Sequence, residues 1–152
     1  MKHNSHTRRA HQRGVSLMEL LVTVAIVGII ASVAIPSYRQ HMKRSNRTDA
    51  TSALLNIAGE QEKFFLQNNA YTDVIGDGGL GMDKTTSANG YYDLSITLTD
   101  NGAGYEAEAA VRATGANGGS QADDEDCTAF TLDETGARGY AGAADDASVC
   151  WR

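Results

Sequence analysis

The sequence predicts an α+β fold, in which one long N-terminal helix packs its second half on a small antiparallel sheet. Three observations carry this. Residues Val15 to Ile35 form an apolar run of 21 residues with a single charge, Glu19. Beyond it, Ala50, Ala53, Leu54, Ile57, Phe64 and Phe65 recur at three- and four-residue spacing, as on one face of a helix. Later, Tyr92, Leu94, Ile96 and Leu98, then Tyr105, Ala107, Ala109 and Val111, alternate with polar residues as half-buried strands do. With 152 residues, 41% of them hydrophobic, the chain has material for one small domain plus an anchor.

The first 14 residues are polar and basic, with Lys2, Arg8, Arg9 and Arg13 and no acid. As a helix, the apolar run that follows is about 31 Å long, close to the thickness of a bilayer's hydrocarbon layer. Glu19 is the anomaly, because an ionised residue at mid-membrane costs ~2.5–3.5 kcal/mol, less near the edge. A cut after Gly14 supplies a partner, since Val15 then carries an ammonium near the depth of Glu19. A plain anchor needs no Glu19. A secretory signal cleaved after Ala34, for which Ser32-Val33-Ala34 offers small residues, accommodates the glutamate poorly.

The stretch Arg13-Gly14-Val15-Ser16-Leu17-Met18-Glu19-Leu20-Leu21-Val22 resembles the leader and helix start of type IV pilins and pseudopilins. The resemblance implies a type IV pilin fold, with residues 1–14 as a class III leader and 15–36 as the transmembrane and filament-core half of the helix. Residues 37–69 are then its amphipathic half, and 70–152 a globular head with an αβ-loop, a sheet and a D-region. It implies that a prepilin peptidase cuts after Gly14 and that Val15 is N-methylated. Glu19 then neutralises the N-terminus of a neighbouring subunit. Val15 departs from the phenylalanine usual at that position. Gly28 and Pro36, expected to interrupt the helix, match the positions that bracket its flexible part in this family.

Gln61-Glu62-Lys63-Phe64-Phe65-Leu66-Gln67-Asn68-Asn69-Ala70-Tyr71-Thr72 is similar to the helix end of PilE-like minor pilins, a group that includes the ComP DNA-uptake receptor. On the helix before it, Gln61 is the one polar residue on the apolar stripe, and Arg47, Asp49, Glu60 and Glu62 are assigned to the opposite, solvated face. The basic cluster Arg39, Lys43, Arg44 and Arg47 has two readings. It is a solvated face with headgroup contacts, or it pairs with the acidic head of another subunit.

Residues 73–90 read as a glycine-rich loop. Gly76 to Gly81 spells G-x-G-x-x-G, but it follows a helix, opens none and lies among Asp73, Asp77 and Asp83, which exclude a pyrophosphate. Three strands are expected next, around Tyr92–Thr99, Tyr105–Arg112 and Thr128–Leu132. Asp100–Gly104 turns the chain between the first two, a polar loop from Gly115 to Asp126 leads to the third, and Gly136–Gly139 turns the chain after it.

Cys127 and Cys150 suit either one disulfide in an oxidising compartment or two separate buried thiols. The pilin resemblance implies a disulfide closing the D-region, and Trp151, beside Cys150, is expected to pack near it. A loop of that length contributes about 3 kcal/mol in the chain-entropy model. Charge does not orient the anchor, since four basic residues precede it and four follow it. A disulfide places the head on the outer side of a bacterial inner membrane, and the resemblance implies later release into an extracellular pilus.

From residue 64 onward, four basic residues stand against fifteen acidic ones, a net charge of −11. That balance opposes binding to nucleic-acid phosphates, as do only two cysteines where ComP-like receptors carry more. No nucleophile–base pair, zinc spacing or phosphate loop can be assembled, so neither enzyme activity nor a cofactor is expected. The Asp123–Asp126 run lacks EF-hand spacing. Some pseudopilin heads hold calcium, but here a solvated loop without metal is expected.

The expected function is therefore a structural, minor pilin subunit serving pilus biogenesis and pilus-dependent motility or adhesion. Its partners are other pilin subunits, the prepilin peptidase and the inner-membrane assembly machinery. A ComP-like DNA-uptake receptor and a type II secretion pseudopilin are the alternatives.

Overall fold

A computed structural model describes residues 16–113 and 121–151. Gly14, Val15, the rest of the 1–14 leader and the first half of the Gly115–Asp126 loop lie outside the described residues. Two compact units are present, Met1–Tyr38 and Arg39–Arg152.

In the first unit, the apolar run forms the start of helix α1, which spans Leu17–Asn68. Gly28 and Pro36 do not interrupt it, contrary to the reading of the sequence. Proline forfeits one hydrogen bond and crowds one carbonyl, and the helical pairing on either side carries the helix past that loss. Two hydroxyls in this unit are satisfied against their own helix. Thr23 Oγ1 donates to the Leu20 carbonyl at 2.8 Å and Ser32 Oγ to the Ile29 carbonyl at 2.7 Å. That is the arrangement an apolar surround requires of a hydroxyl.

The second unit is built on the amphipathic half of α1. Ala50, Leu54 and Ile57 are fully buried against the sheet. The helix ends where Asn69 adopts a positive φ of 54°, a conformation asparagine tolerates. Phe65 stacks on Tyr71 with ring centroids 4.7 Å apart, and Tyr71 meets Tyr105 edge-on at 4.9 Å, which closes the end.

The sheet has four antiparallel strands in sequence order: β1 (Tyr92–Thr99), β2 (Gly104–Val111), β3 (Ala129–Asp133) and β4 (Arg138–Ala141). Register explains the core. Leu94, Ala109, Phe130 and Tyr140 form one cross-strand row, and Ile96, Ala107, Leu132 and Arg138 the next. Small alanines on the central β2, flanked by large residues, leave a shallow trench for the helix. Leu98 is the exception on β1, since the inward alternation ends before it and it is exposed.

The fourth strand corrects the sequence reading, in which Arg138 and Gly139 belong to a turn. Gly139 is paired opposite Thr131, and a Cβ there runs into the Thr131 hydroxyl. Glycine marks a close cross-strand approach here. The C-terminal segment ends in a short helix α2, Ala147–Cys150, and Cys127 is disulfide-bonded to Cys150. Trp151 meets Phe130 edge-on at 5.9 Å and donates from Nε1 to the Gly139 carbonyl at 2.7 Å.

Candidate functional site

Glu19 sits in the first turn of α1. Around it Leu17, Leu20, Leu21, Val22, Val24 and Ile26 are all exposed within the single chain. An apolar surface of this extent marks a membrane or a partner as its surround. Among the described residues Glu19 has no ion-pair partner, so its charge is left for something outside this chain's described part. Gly28 and Pro36, 9 and 17 residues further along the helix, are exposed as well.

In the head, three polar residues of α1 are buried, and each holds one loop. Gln61 bonds the Thr72 backbone in both directions, donating from Nε2 at 2.6 Å and accepting at Oε1 at 3.2 Å. Asp49 accepts from the Asn89 backbone N–H at 3.2 Å and from Nδ2 at 3.1 Å. Arg47 reaches furthest. Its Nε and Nη2 donate to the two carboxylate oxygens of Asp124 at 2.7 and 2.6 Å, and Nη1 donates to the Val149 carbonyl at 2.9 Å. Gln121 Nε2 donates to Asp124 at 2.9 Å and to the Lys43 carbonyl at 3.0 Å, and Lys43 Nζ donates to the Asp123 carbonyl. Arg47 thus ties the helix to the chain beside each cysteine of the disulfide. The hydrogen bond to Asp124 raises the Arg47 pKa further, against the opposing effect of burial.

These facts correct three readings. Arg47 and Asp49 are buried, at 5% and 8% exposure, and do not lie on a solvated face. Asp124 is 1% exposed, so the acidic run is no freely solvated loop. Within the basic cluster, Arg47 and Lys43 find their acidic-loop partners inside their own chain. The signal for Arg47 was present in the spacing: 47, 50, 54, 57 and 61 fall on one helical stripe. Nothing in the sequence singled out Asp124 from its acidic neighbours.

The rest of the head shows no reactive cluster among its described residues. Among the described residues no group of three or more His, Cys, Asp or Glu side chains is placed to hold a metal. Burial pushes the Tyr105 hydroxyl up to about 12 and raises that of Tyr92 as well, which makes both inert core phenols. Of the cations named in the sequence, Arg112 pairs with Asp93 at 2.8 Å and Arg138 lies over the Trp151 ring at 5.2 Å. The arrangement is that of a binding and assembly module, with its surfaces as the working parts.

Comparison with known proteins agrees. A family described as type IV minor pilin ComP, DNA uptake sequence receptor, matches residues 36–131, and the prokaryotic N-terminal methylation motif matches residues 9–35. The chain is 33% identical to the type IV major pilin protein PilA of Myxococcus xanthus over 72 residues, covering 47% of this chain and 33% of that protein. It is 29% identical to the fimbrial protein EcpC of Eikenella corrodens over 116 residues, 72% of this chain and 69% of that one. It is also 30% identical to the type II secretion system core protein G of Pectobacterium carotovorum over 60 residues, 40% of this chain and 38% of that one. The chain therefore spans between a third and about two thirds of the length of these relatives. The methylation motif together with the apolar helix fits a membrane-anchored subunit that later joins an extracellular pilus. The chain belongs to the type IV pilins, a family of structural subunits and not of enzymes, within the group that takes its description from the minor pilin ComP.

Proposed function

We propose that the protein is a structural subunit of a type IV pilus, a minor pilin contributing to pilus biogenesis and to motility or adhesion. It is cut after Gly14 by a prepilin peptidase, methylated at Val15 and passed from the inner membrane into the filament by the assembly machinery. The observation that carries this reading is Glu19, a carboxylate in the first turn of an exposed apolar helix with no ion-pair partner among the described residues. In the filament core it meets the Val15 ammonium of a neighbour, which removes the cost of burying either charge alone. Gly28 and Pro36 give that half of the helix its capacity to adjust on assembly. The disulfide and the Arg47 ties keep the head folded outside the cell. A type II secretion pseudopilin shares all of this, and the partial match to core protein G supports that version as the alternative.

The test is the intact mass of protein extracted from membranes. The mass should match a chain starting at Val15 plus one methyl group, and Gly14→Asp should leave the full-length chain. Wild-type protein that starts at Ile35, or is uncut, contradicts the proposal.

A second reading, DNA-uptake receptor, is favoured by the family match over residues 36–131. Against it stand the net charge of −11 beyond residue 64 and the occupation of Arg47 and Arg112 by carboxylates. DNA affinity comes largely from neutralising phosphates with free Lys and Arg. Mature protein in detergent should show no salt-sensitive binding to double-stranded DNA near physiological ionic strength. Submicromolar binding that weakens as salt is added reverses the ranking.

A further inference from the structure

A cavity in the head lies between α1 and the 73–90 loop, and the buried polar ties of α1 explain why it exists. Asp49 holds the loop at Asn89, and Gln61 holds it at Thr72. The two ties start 12 residues apart on α1, about 18 Å along the axis. Between them the loop stands off the helix and leaves a space of about 570 Å³. That is within the range of sites for small organic ligands, about 300–1,000 Å³. The outer wall is braced by its own hydrogen bonds. The Leu80 N–H donates to the Val74 carbonyl and the Met82 N–H to that of Ile75, both at 2.9 Å. The Leu94 N–H donates to the Thr85 carbonyl at 2.9 Å, which fixes the wall to β1. The cavity is thus held open before anything enters it, and a ligand is spared the cost of ordering its site.

The lining sorts into three kinds of group. Ala53, Leu80, Met82 and Leu94 give an aliphatic surface, and no aromatic ring stands among the described residues that line the cavity. Ser52, Asn56 and Thr86 line it as well, and their side chains bond no other described residue. They offer two hydroxyls and a carboxamide, each able to donate and to accept. Charge discriminates further. Asp49 and Glu60 already have donors, from Asn89 and from Lys63 Nζ at 2.6 Å. Asp83 and Lys84 are exposed on the lip, and neither forms an ion pair among the described residues, with each other or elsewhere. The unpaired set is therefore one anion and one cation, with no net charge. A phosphate entering here meets three carboxylates, and a polyamine meets Lys84.

We propose that this cavity binds a short zwitterionic peptide, two or three residues long, with aliphatic side chains. Its terminal ammonium lies against Asp83 and its terminal carboxylate against Lys84. Its side chains cover Leu80, Met82 and Leu94. The Asn56 carboxamide donates and accepts as a peptide group does, and so pairs with the ligand's internal amide. Two or three extended residues hold their terminal charges up to roughly 7–11 Å apart, at ~3.3–3.6 Å per residue. The ligand's ends are then kept from each other, and each is left for a residue of the lip. A free amino acid lacks the internal amide. A neutral saccharide lacks both the charges and the aliphatic side chains. The inference goes beyond the filament reading, since it gives the head a ligand that is not another subunit.

The experiment is a ligand-detected NMR titration of the full chain in detergent with leucyl-leucine, N-acetyl-leucyl-leucine and leucyl-leucinamide. Wild type should bind leucyl-leucine with a Kd below about 1 mM. Blocking either end should weaken binding about tenfold, because a charge-assisted hydrogen bond is lost there. Asp83→Asn should weaken leucyl-leucine about tenfold and leave the N-acetyl peptide, which has no ammonium, within about twofold of its wild-type affinity. Lys84→Gln should weaken leucyl-leucine equally and spare the amide. Both residues are exposed and unpaired, so both variants should keep the wild-type melting temperature, which separates loss of ligand from loss of fold. Wild type that leaves leucyl-leucine unbound at about 10 mM overturns the proposal. Equal affinity for the free and blocked peptides overturns it as well. So does maltose binding that Asp83→Asn weakens and leucyl-leucine does not displace, which assigns the cavity to a saccharide.

Discussion

Arg47 decides how the head is held. It is buried together with Asp124, and the pair is bidentate, with the two carboxylate oxygens at 2.7 and 2.6 Å. Removing one partner of such a pair strands the other charge, at a cost of ~3–5 kcal/mol, whereas replacing both by apolar residues is often near neutral. Arg47→Ala should therefore lower the melting temperature of detergent-solubilised protein by about 10 °C or more. Arg47→Met combined with Asp124→Leu should return most of the loss. An unchanged melting temperature in Arg47→Ala contradicts the role given to this pair. At this scale the sequence was only partly legible. Glu19 stood out because a lone charge in an apolar run has no ordinary use. Arg47 was legible only through its place on the apolar stripe and Asp124 not at all, because charge alone says solvent, and only the fold shows that the two are brought together across 77 residues.

At the scale of elements, α1 and the first two strands were readable because their periods, three-to-four and two, are set by burial of one face. The start of α1 was legible from composition alone. β4 was not, since a four-residue edge strand containing glycine carries a turn's composition, and its pairing is set by the partner strand β3. The disulfide and Arg47 act on the same segment. Cys127 and Cys150 close the loop that holds β3, β4 and α2, and Arg47 fastens a residue near each of its ends, Asp124 just before Cys127 and Val149 just before Cys150. Neither thiol should react with an alkylating agent in native protein until a reductant is added. Cys127→Ser should lower the steady-state amount of protein, because loss of a native disulfide from a small exported domain costs ~2–5 kcal/mol. Ready labelling of both thiols before reduction contradicts the pairing.

As a whole molecule, the chain combines an apolar helical unit that is exposed by itself with an acidic head that has no catalytic equipment among its described residues. Each is ordinary alone. Together with the methylation motif they support the proposal that the membrane anchor becomes an assembly surface. The central claim is that Glu19 serves assembly and neither insertion nor cleavage. An apolar replacement makes the helix more hydrophobic, so insertion is retained, and the proposed cut site is Gly14, away from the substitution. The most direct measurement is the amount of mature-sized Glu19→Ala protein in membranes and in sheared filaments, beside wild type. The account predicts processed protein at wild-type levels in the membrane and little or none in the filaments. Glu19→Ala present in filaments at the wild-type amount contradicts it.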